Sequence, residues 1–210
     1  ARLGHEVVAL DPDESATVGL RAVRAMSASL RLGCLRCCCG FAQRLPFRDG
    51  SFDVVYARQT LHHVTDLTAG LRECQRVLKP DGRLLAVREH VADDEEQLRA
   101  FLEHHPLHRL YGGEHAYRLD EYLEAGRMSG LVLTQMLGPF DTVINYYPKS
   151  DTEVRAAAVG YLSRKTGRYL AEAALRVPAV FAWYVRRMSG FDQTPGRLCS
   201  FLWVKPRSAP

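Results

Sequence analysis

Lysine is scarce in this chain. Lys79, Lys149, Lys165 and Lys205 are the only lysines among 28 basic residues, so the other 24 are arginines. A matching number of acidic residues is interleaved with them, leaving a formal net charge of +4, and no basic run forms the stripe a nucleic-acid partner would require. A hydrophobic run of membrane-spanning length is also missing. The most apolar stretch, Tyr169 to Val185, holds Glu172, Arg176 and Pro178 and falls short of a comfortable span. No apolar core follows a basic start near the beginning, so no signal peptide is expected. With 47% hydrophobic and 25% charged residues and no repeats, the composition excludes disorder, collagen and coiled coil. A length of 210 residues suffices to bury a core without disulfides or metals.

Paired metal-ligand motifs are lacking as well. Cys34-x-x-Cys37 is half of a zinc or redox motif, but no second half follows at a useful spacing. Adjacent Cys37, Cys38 and Cys39 would point to alternate faces of a strand. The cysteines therefore read as small buried hydrophobes with reduced thiols, which suits a cytoplasmic setting. His104, His105 and His108, with Glu114 and His115, invite a metal reading, but Pro106 interrupts the helix that would align them and no H-E-x-x-H spacing exists. No metal is expected. The segment reads instead as a mobile substrate lid hinged at Gly112-Gly113.

What is present alternates. Val7 to Leu10 is a short apolar run expected as a strand buried on both faces, and Pro12 with its neighbouring acids is expected to open a helix ending near Ser29. Gly33 to Cys39 and Phe52 to Ala57 read as further strands. Leu67, Leu71, Cys74 and Leu78 share one helix face, ended by the turn Lys79-Pro80-Asp81-Gly82. Leu84 to Val87 is the next buried strand. This succession is the α/β pattern of crossovers onto a parallel sheet. Beyond it come a short helix from Glu95 to His104, a loop from His105 to Tyr117 and a short helix around Leu119–Leu123. Later strands are expected at Leu131–Leu137 and Leu198–Val204. Between them lies a long helical stretch, Thr152 to Met188, punctuated by Gly160, Gly167 and Pro178. Its flanking Arg164, Lys165, Arg168, Arg186 and Arg187 leave room for weak membrane-surface contact through 164–187.

In an open parallel sheet, ligands bind beyond the carboxyl ends of the strands. Asp11 stands at the first of these ends, where its carboxylate can accept both hydroxyls of a ribose or cap the following helix. Phe41-Ala42-Gln43 follows the second strand, Arg58 to His63 the third and Glu89-His90 the fourth.

The segments Glu6-Val7-Val8-Ala9-Leu10-Asp11-Pro12, Gly40-Phe41-Ala42-Gln43-Arg44-Leu45-Pro46-Phe47 and Asp49-Gly50-Ser51-Phe52-Asp53-Val54-Val55 resemble class I S-adenosylmethionine-dependent methyltransferases. Leu61-His62-His63-Val64 and Arg76-Val77-Leu78-Lys79-Pro80-Asp81-Gly82-Arg83-Leu84 continue the likeness, and Gly196 to Phe201 resembles the last strand. The likeness is nearest to the small-molecule group that includes the ubiquinone and menaquinone methyltransferases. It implies an α/β fold: a Rossmann-like, mostly parallel sheet with an antiparallel last strand and a helical cap insertion, N-terminally truncated. One domain is implied, with a cofactor-binding half over 1–92, a lid and the family's sixth strand over 93–150, a cap over 151–190 and the last strand over 196–206.

The resemblance further implies S-adenosylmethionine as cofactor and a small-molecule acceptor, with nothing about oligomeric state. Asp11 would hold the ribose, Pro12 would pack on the adenine, and Ala42 and Gln43 would run along the adenine edge. Arg58 joins this cofactor-binding set. Phe41 stands where the family usually has an Asp that accepts from the adenine amino group, so it would stack on the ring instead. His63 and His90 are the candidate bases, though either can simply pack or bond locally. Glu89, Glu114, His115, Tyr146 and Tyr147 are candidates for the acceptor pocket.

The family's Gly-rich loop and central first strand would precede Ala1, because Ala1 to His5 resembles the end of the first helix and no G-x-G-x-G occurs here. Two other readings stay open. One is a non-catalytic methyltransferase-like fragment or pseudoenzyme. The other is a nicotinamide-dependent dehydrogenase, which shares the sheet and the ribose acid but fits the Leu-Pro-Phe and Lys-Pro-Asp-Gly segments less well.

Overall fold

A computed structural model describes residues 1–111 and 113–207 of the chain. It divides into two compact units, Ala1–Arg48 and Asp49–Pro210. Gly112, half of the expected hinge, lies outside the described residues.

In the first unit, strand β1 (Val7–Asp11), helix α1 (Leu20–Ser29) and strand β2 (Leu35–Cys39) make a β-α-β succession. The strands pair in parallel from Val7 opposite Leu35 to Asp11 opposite Cys39. The helix begins eight residues beyond Pro12, contrary to expectation, because short polar side chains capture the backbone first. Asp11 Oδ1 accepts the Asp13 N–H at 2.8 Å, Asp13 Oδ1 accepts the Ser15 N–H at 2.7 Å, and Ser15 Oγ accepts the Gly19 N–H at 3.1 Å. Gly19 closes this loop tightly, since a Cβ there would sit 2.4 Å from the Asp13 carbonyl oxygen. Strand β1 is half-buried throughout rather than buried on both faces, because a two-stranded sheet offers it little cover. The thiols of Cys34, Cys37 and Cys38 are likewise half-buried and Cys39 is exposed, so the buried reading holds for Cys74 and Cys199 alone.

The second unit contains a four-stranded sheet in the order β3-β4-β6-β5, built from β3 (Phe52–Arg58), β4 (Leu78–Val91), β5 (Val132–Leu137) and β6 (Arg197–Val204). β3 and β4 are parallel, and β6 runs antiparallel to both of its neighbours. Helix α2 (Leu67–Val77) starts where the Asp66 carboxylate accepts the Ala69 N–H at 2.9 Å. Its face of Leu67, Leu71 and Cys74 is buried, as is Leu78 just beyond, and Leu84, Ala86, Phe201 and Trp203 of the sheet are buried too. Removing a side chain such as Leu71 from this core would cost about 2–5 kcal/mol. The residues expected as a turn, Lys79 to Gly82, are drawn into the start of β4. There Asp81, at φ 62°, donates its N–H to the Lys205 carbonyl.

Strand β4 contains one residue more than β6 between the pairs Ala86–Phe201 and Glu89–Cys199. The bulge falls at Val87–Arg88, with Arg88 at φ 60°. Its freed N–H goes to Ser200 Oγ at 3.0 Å, and that hydroxyl donates to Asn145 Oδ1 at 2.5 Å. The Arg88 guanidinium reaches the carbonyls of Ile144, Asn145 and Tyr147 around helix α6 (Val143–Tyr146), at 2.8, 3.2 and 3.0 Å. This satisfies carbonyls that a helix end leaves without partners.

Helix α3 (Glu95–His104) packs Phe101 with Ala92 and Ala116. The expected loop after it contains a short helix, α4 (Pro106–Tyr111): Pro106 ends one helix and also opens the next, since a first-turn proline sacrifices no internal hydrogen bond. Helix α5 (Leu119–Met128) follows. The long helical stretch is three helices, α7 (Asp151–Thr166), α8 (Arg168–Arg176) and α9 (Pro178–Phe191), broken at Gly167 and before Pro178 but not at Gly160. They share a small core of Ala158, Leu175 and Tyr184. No helix among the described residues is long and apolar enough to cross a membrane.

Candidate active site

The carboxyl ends of β3 and β4 converge on a histidine–carboxylate cluster. After β3 the backbone turns at Gln59 (φ 49°), which donates its N–H to the Val87 carbonyl, and a 3-10 turn places Leu61, His62 and His63. Because of the bulge at Arg88, Glu89 faces this turn. Its carboxylate is fully buried and accepts three bonds: Thr60 N–H at 3.1 Å, His62 N–H at 3.1 Å and the His62 ring Nδ1 at 2.9 Å. A buried carboxylate is tolerable only with this degree of partnering. Glu89, expected in the acceptor pocket, is thus spent on holding His62.

His62 is the residue the sequence reading passed over. It is buried, and its Nε2 lies 3.4 Å from Glu114 Oε2. His63 is half-exposed, with Nδ1 3.1 Å from the Gly113 carbonyl oxygen and Nε2 3.9 Å from the same Glu114 oxygen. The adjacent pair His62-His63 was the available signal. Sequence cannot say which of two neighbouring rings faces inward when a 3-10 turn replaces regular alternation.

His90 stands against this group, its ring edge-on to His62 at 4.9 Å and near His105 and Phe101. Its Nδ1 donates to the Gly196 carbonyl at 2.7 Å. Burial pushes its pKa down to about 4, against the opposing pull of that bond, so the ring is neutral near pH 7 and a feeble base there. His115 lies outside the group, edge-on to Tyr117 at 4.5 Å, and burial lowers its pKa as well. Tyr146 and Tyr147 are placed elsewhere. The Tyr146 hydroxyl donates to Asp151, which with burial raises its pKa to about 12, and Tyr147 is exposed with its carbonyl held by Arg88.

The remaining residues expected to hold the cofactor, except Arg58, lie in the first unit. Asp11 ends β1 with one oxygen engaged by Asp13 N–H, which leaves acceptor capacity on a carboxylate. Phe41 is 65% exposed and bridges to Arg44 across Ala42 and Gln43, a surface aromatic fit to stack on a flat ring. Arg58, exposed at the end of β3, belongs to the second unit.

Residues 1–86 match the methyltransferase domain family. A methyltransferase of Bacillus subtilis described as uncharacterized, YcgJ, is 36% identical over 122 residues, which are 55% of this chain and 47% of that protein. The demethylmenaquinone methyltransferase of Mycolicibacterium gilvum is 54% identical over 46 residues, 22% of this chain and 20% of that protein. The chain thus matches about half the length of the first relative and less of the second. The crystal structure of YcgJ aligns over 96% of this chain and 82% of its own, with a TM-score of 0.57 at 20% identity. Phosphoethanolamine N-methyltransferase 2 of Haemonchus contortus, solved with S-adenosyl-L-methionine, gives 0.57 at 16% identity over 96% of this chain and 44% of its own. The chain therefore matches the methyltransferase domain family over residues 1–86 and shares, along nearly its whole length, the α/β fold of solved methyltransferases.

Proposed function

We propose that the protein transfers a methyl group from S-adenosylmethionine to a small-molecule acceptor. The observation that carries this reading is the methyltransferase-type sequence over residues 1–86, which puts Asp11 at the end of β1 and, in the second unit, His62 just after β3, where Glu89 within β4 holds it. The bound cofactor would supply an activated methyl on a sulfonium centre. Asp11 would accept from the ribose hydroxyls, Phe41 would stack on the adenine, and Ala42 and Gln43 would complete that set. With the methyl already activated, positioning of the acceptor provides most of the acceleration. A proton leaves only where the acceptor is a hydroxyl or amine, and it would be handled among His62, His63 and Glu114, where His63 reaches solvent.

Titration calorimetry with S-adenosylmethionine and with its demethylated product tests the reading. Saturable binding of both is expected. No detectable binding at millimolar ligand would sink it and favour the non-catalytic alternative. We also propose a cytoplasmic setting, which suits six unbridged thiols, and weak contact of the α8–α9 surface with anionic lipid. Tyr169, Leu170, Trp183 and Phe191 are exposed there among Arg168, Arg186 and Arg187.

A further inference from the structure

With both rings neutral, three hydrogen-bond acceptors meet at the histidine cluster and no donor stands among them. His62 Nδ1 faces the Glu89 carboxylate at 2.9 Å and His63 Nδ1 faces the Gly113 carbonyl oxygen at 3.1 Å. Both partners can only accept, so each neutral ring carries its proton on Nδ1 and a lone pair on Nε2. Both Nε2 atoms then face one oxygen, Glu114 Oε2, at 3.4 and 3.9 Å. The His62 and Glu114 side chains are 2% and 8% exposed, so water does little to relieve the arrangement. The other Glu114 oxygen lies 4.0 Å from His105 Nδ1, a buried nitrogen without a hydrogen-bond partner. Two lone pairs and a carboxylate converge favourably only around a positive charge, either a proton or a metal ion.

We infer that His62 Nε2, His63 Nε2 and a Glu114 carboxylate oxygen form a binding site for a divalent transition-metal ion of the zinc type. The ligating atoms lie within 4.8 Å of one another. Around an ion with bonds of about 2.0–2.2 Å, tetrahedral ligands sit roughly 3.3–3.6 Å apart, so the 3.4 Å separation fits and the 3.9 Å one closes with a small rotation of His63. Glu89 and the Gly113 carbonyl act as outer partners, each fixing a ring with its Nε2 lone pair inward, as metal-bound histidines require. Two imidazoles and one carboxylate leave a coordination position open, and half-exposed His63 gives an ion its route in. In the proposed reaction, the bound ion would take the place of the free ring nitrogens in easing loss of the acceptor's proton and would orient the acceptor's oxygen or nitrogen. That consequence rests on the methyltransferase reading, whereas ion binding does not.

The test is Zn2+ titration of chelator-treated protein by calorimetry, with Co2+ visible absorption as a second readout. One ion per chain is expected. His63→Ala and Glu114→Gln should each weaken binding by about 100-fold or more, and Glu89→Gln by about 10–100-fold. Cys37→Ser and His108→Ala, outside the site, should leave affinity unchanged, and circular dichroism of half-exposed His63→Ala guards against unfolding. Absence of stoichiometric binding overturns the inference. So does binding that survives His63→Ala and Glu114→Gln, or that is lost in Cys37→Ser. S-adenosylmethionine affinity, measured separately on the same protein, shows whether a failure belongs to the metal site or to the methyltransferase reading.

Discussion

One oxygen of Glu89 accepts from His62 twice, from its backbone N–H at 3.1 Å and from its ring at 2.9 Å, while the other oxygen takes Thr60 N–H. A glutamine has one acceptor oxygen and would turn an NH2 group against one of these donors. Glu89→Gln should therefore lower unfolding stability by about 1–3 kcal/mol. Urea denaturation measures this, and an unchanged midpoint would show that the carboxylate is not what holds the 3-10 turn.

Acid should loosen the second unit through His90. Its native pKa of about 4 lies below the ordinary value of 6.5, because burial penalises the charged ring. As pH falls below 6.5, the unfolded chain binds this proton first, so the stability is complete above 6.5 and is lost between 6.5 and 4. The loss approaches about 3 kcal/mol. Thermal melts across that interval should show a weaker pH dependence in His90→Gln than in the parent protein.

Gly196 is fixed by both backbone and space. It sits at φ 70°, and a Cβ there would lie 2.0 Å from the Phe101 ring. Its carbonyl also holds His90. Gly196→Ala should destabilise by more than about 3 kcal/mol, as overpacking and backbone strain add. Phe101→Leu in the same chain should restore part of it, which a double-mutant cycle would read directly.

Cofactor affinity should depend on Asp11 more than stability does. Loss of the charge-assisted bonds in Asp11→Ala should weaken S-adenosylmethionine binding by roughly 10–100-fold. Asp11→Asn keeps an acceptor for the Asp13 N–H and should leave the loop before α1 intact by circular dichroism. Equal affinities in the parent and both variants would remove Asp11 from the cofactor site.

The exposed face of α9 offers a test of lipid contact. Trp183 and Phe191 flank Arg187, whose guanidinium lies 5.8 and 5.1 Å from their ring centres. Co-sedimentation with anionic vesicles should fall in a Trp183→Ala/Phe191→Ala variant and with rising salt. Equal sedimentation with neutral vesicles would speak against the charge component.

The strands, α2, α3 and α5 were legible because apolar runs and clear helical faces carry them, whereas α4 was not, because Pro106 reads as a helix breaker. The start of α1 was not, because Asp13 and Ser15 trade helical hydrogen bonds for local turns, and composition alone favours both outcomes. At the candidate site, His63, His90, Glu89 and Glu114 were flagged individually from strand-end position or family likeness. Their geometry was hidden: His62 turns inward through a 3-10 turn, and Glu114 arrives from fifty residues further along the chain, a pairing no local pattern encodes. The bulge was equally invisible, since arginine is not the residue usually found at positive φ.

That bulge sets a parity. Side chains on a strand alternate between faces, and the bulge absorbs one extra residue so that Ala86 and Glu89, three positions apart, share the face of Phe201 and Cys199. Deleting Arg88 would let β4 and β6 pair regularly with Glu89 still opposite Cys199, but it would remove the guanidinium that holds the carbonyls around α6. A more regular ladder would then accompany an unanchored α6. At this end of the sheet the chemistry is written in the number of residues as much as in their kinds.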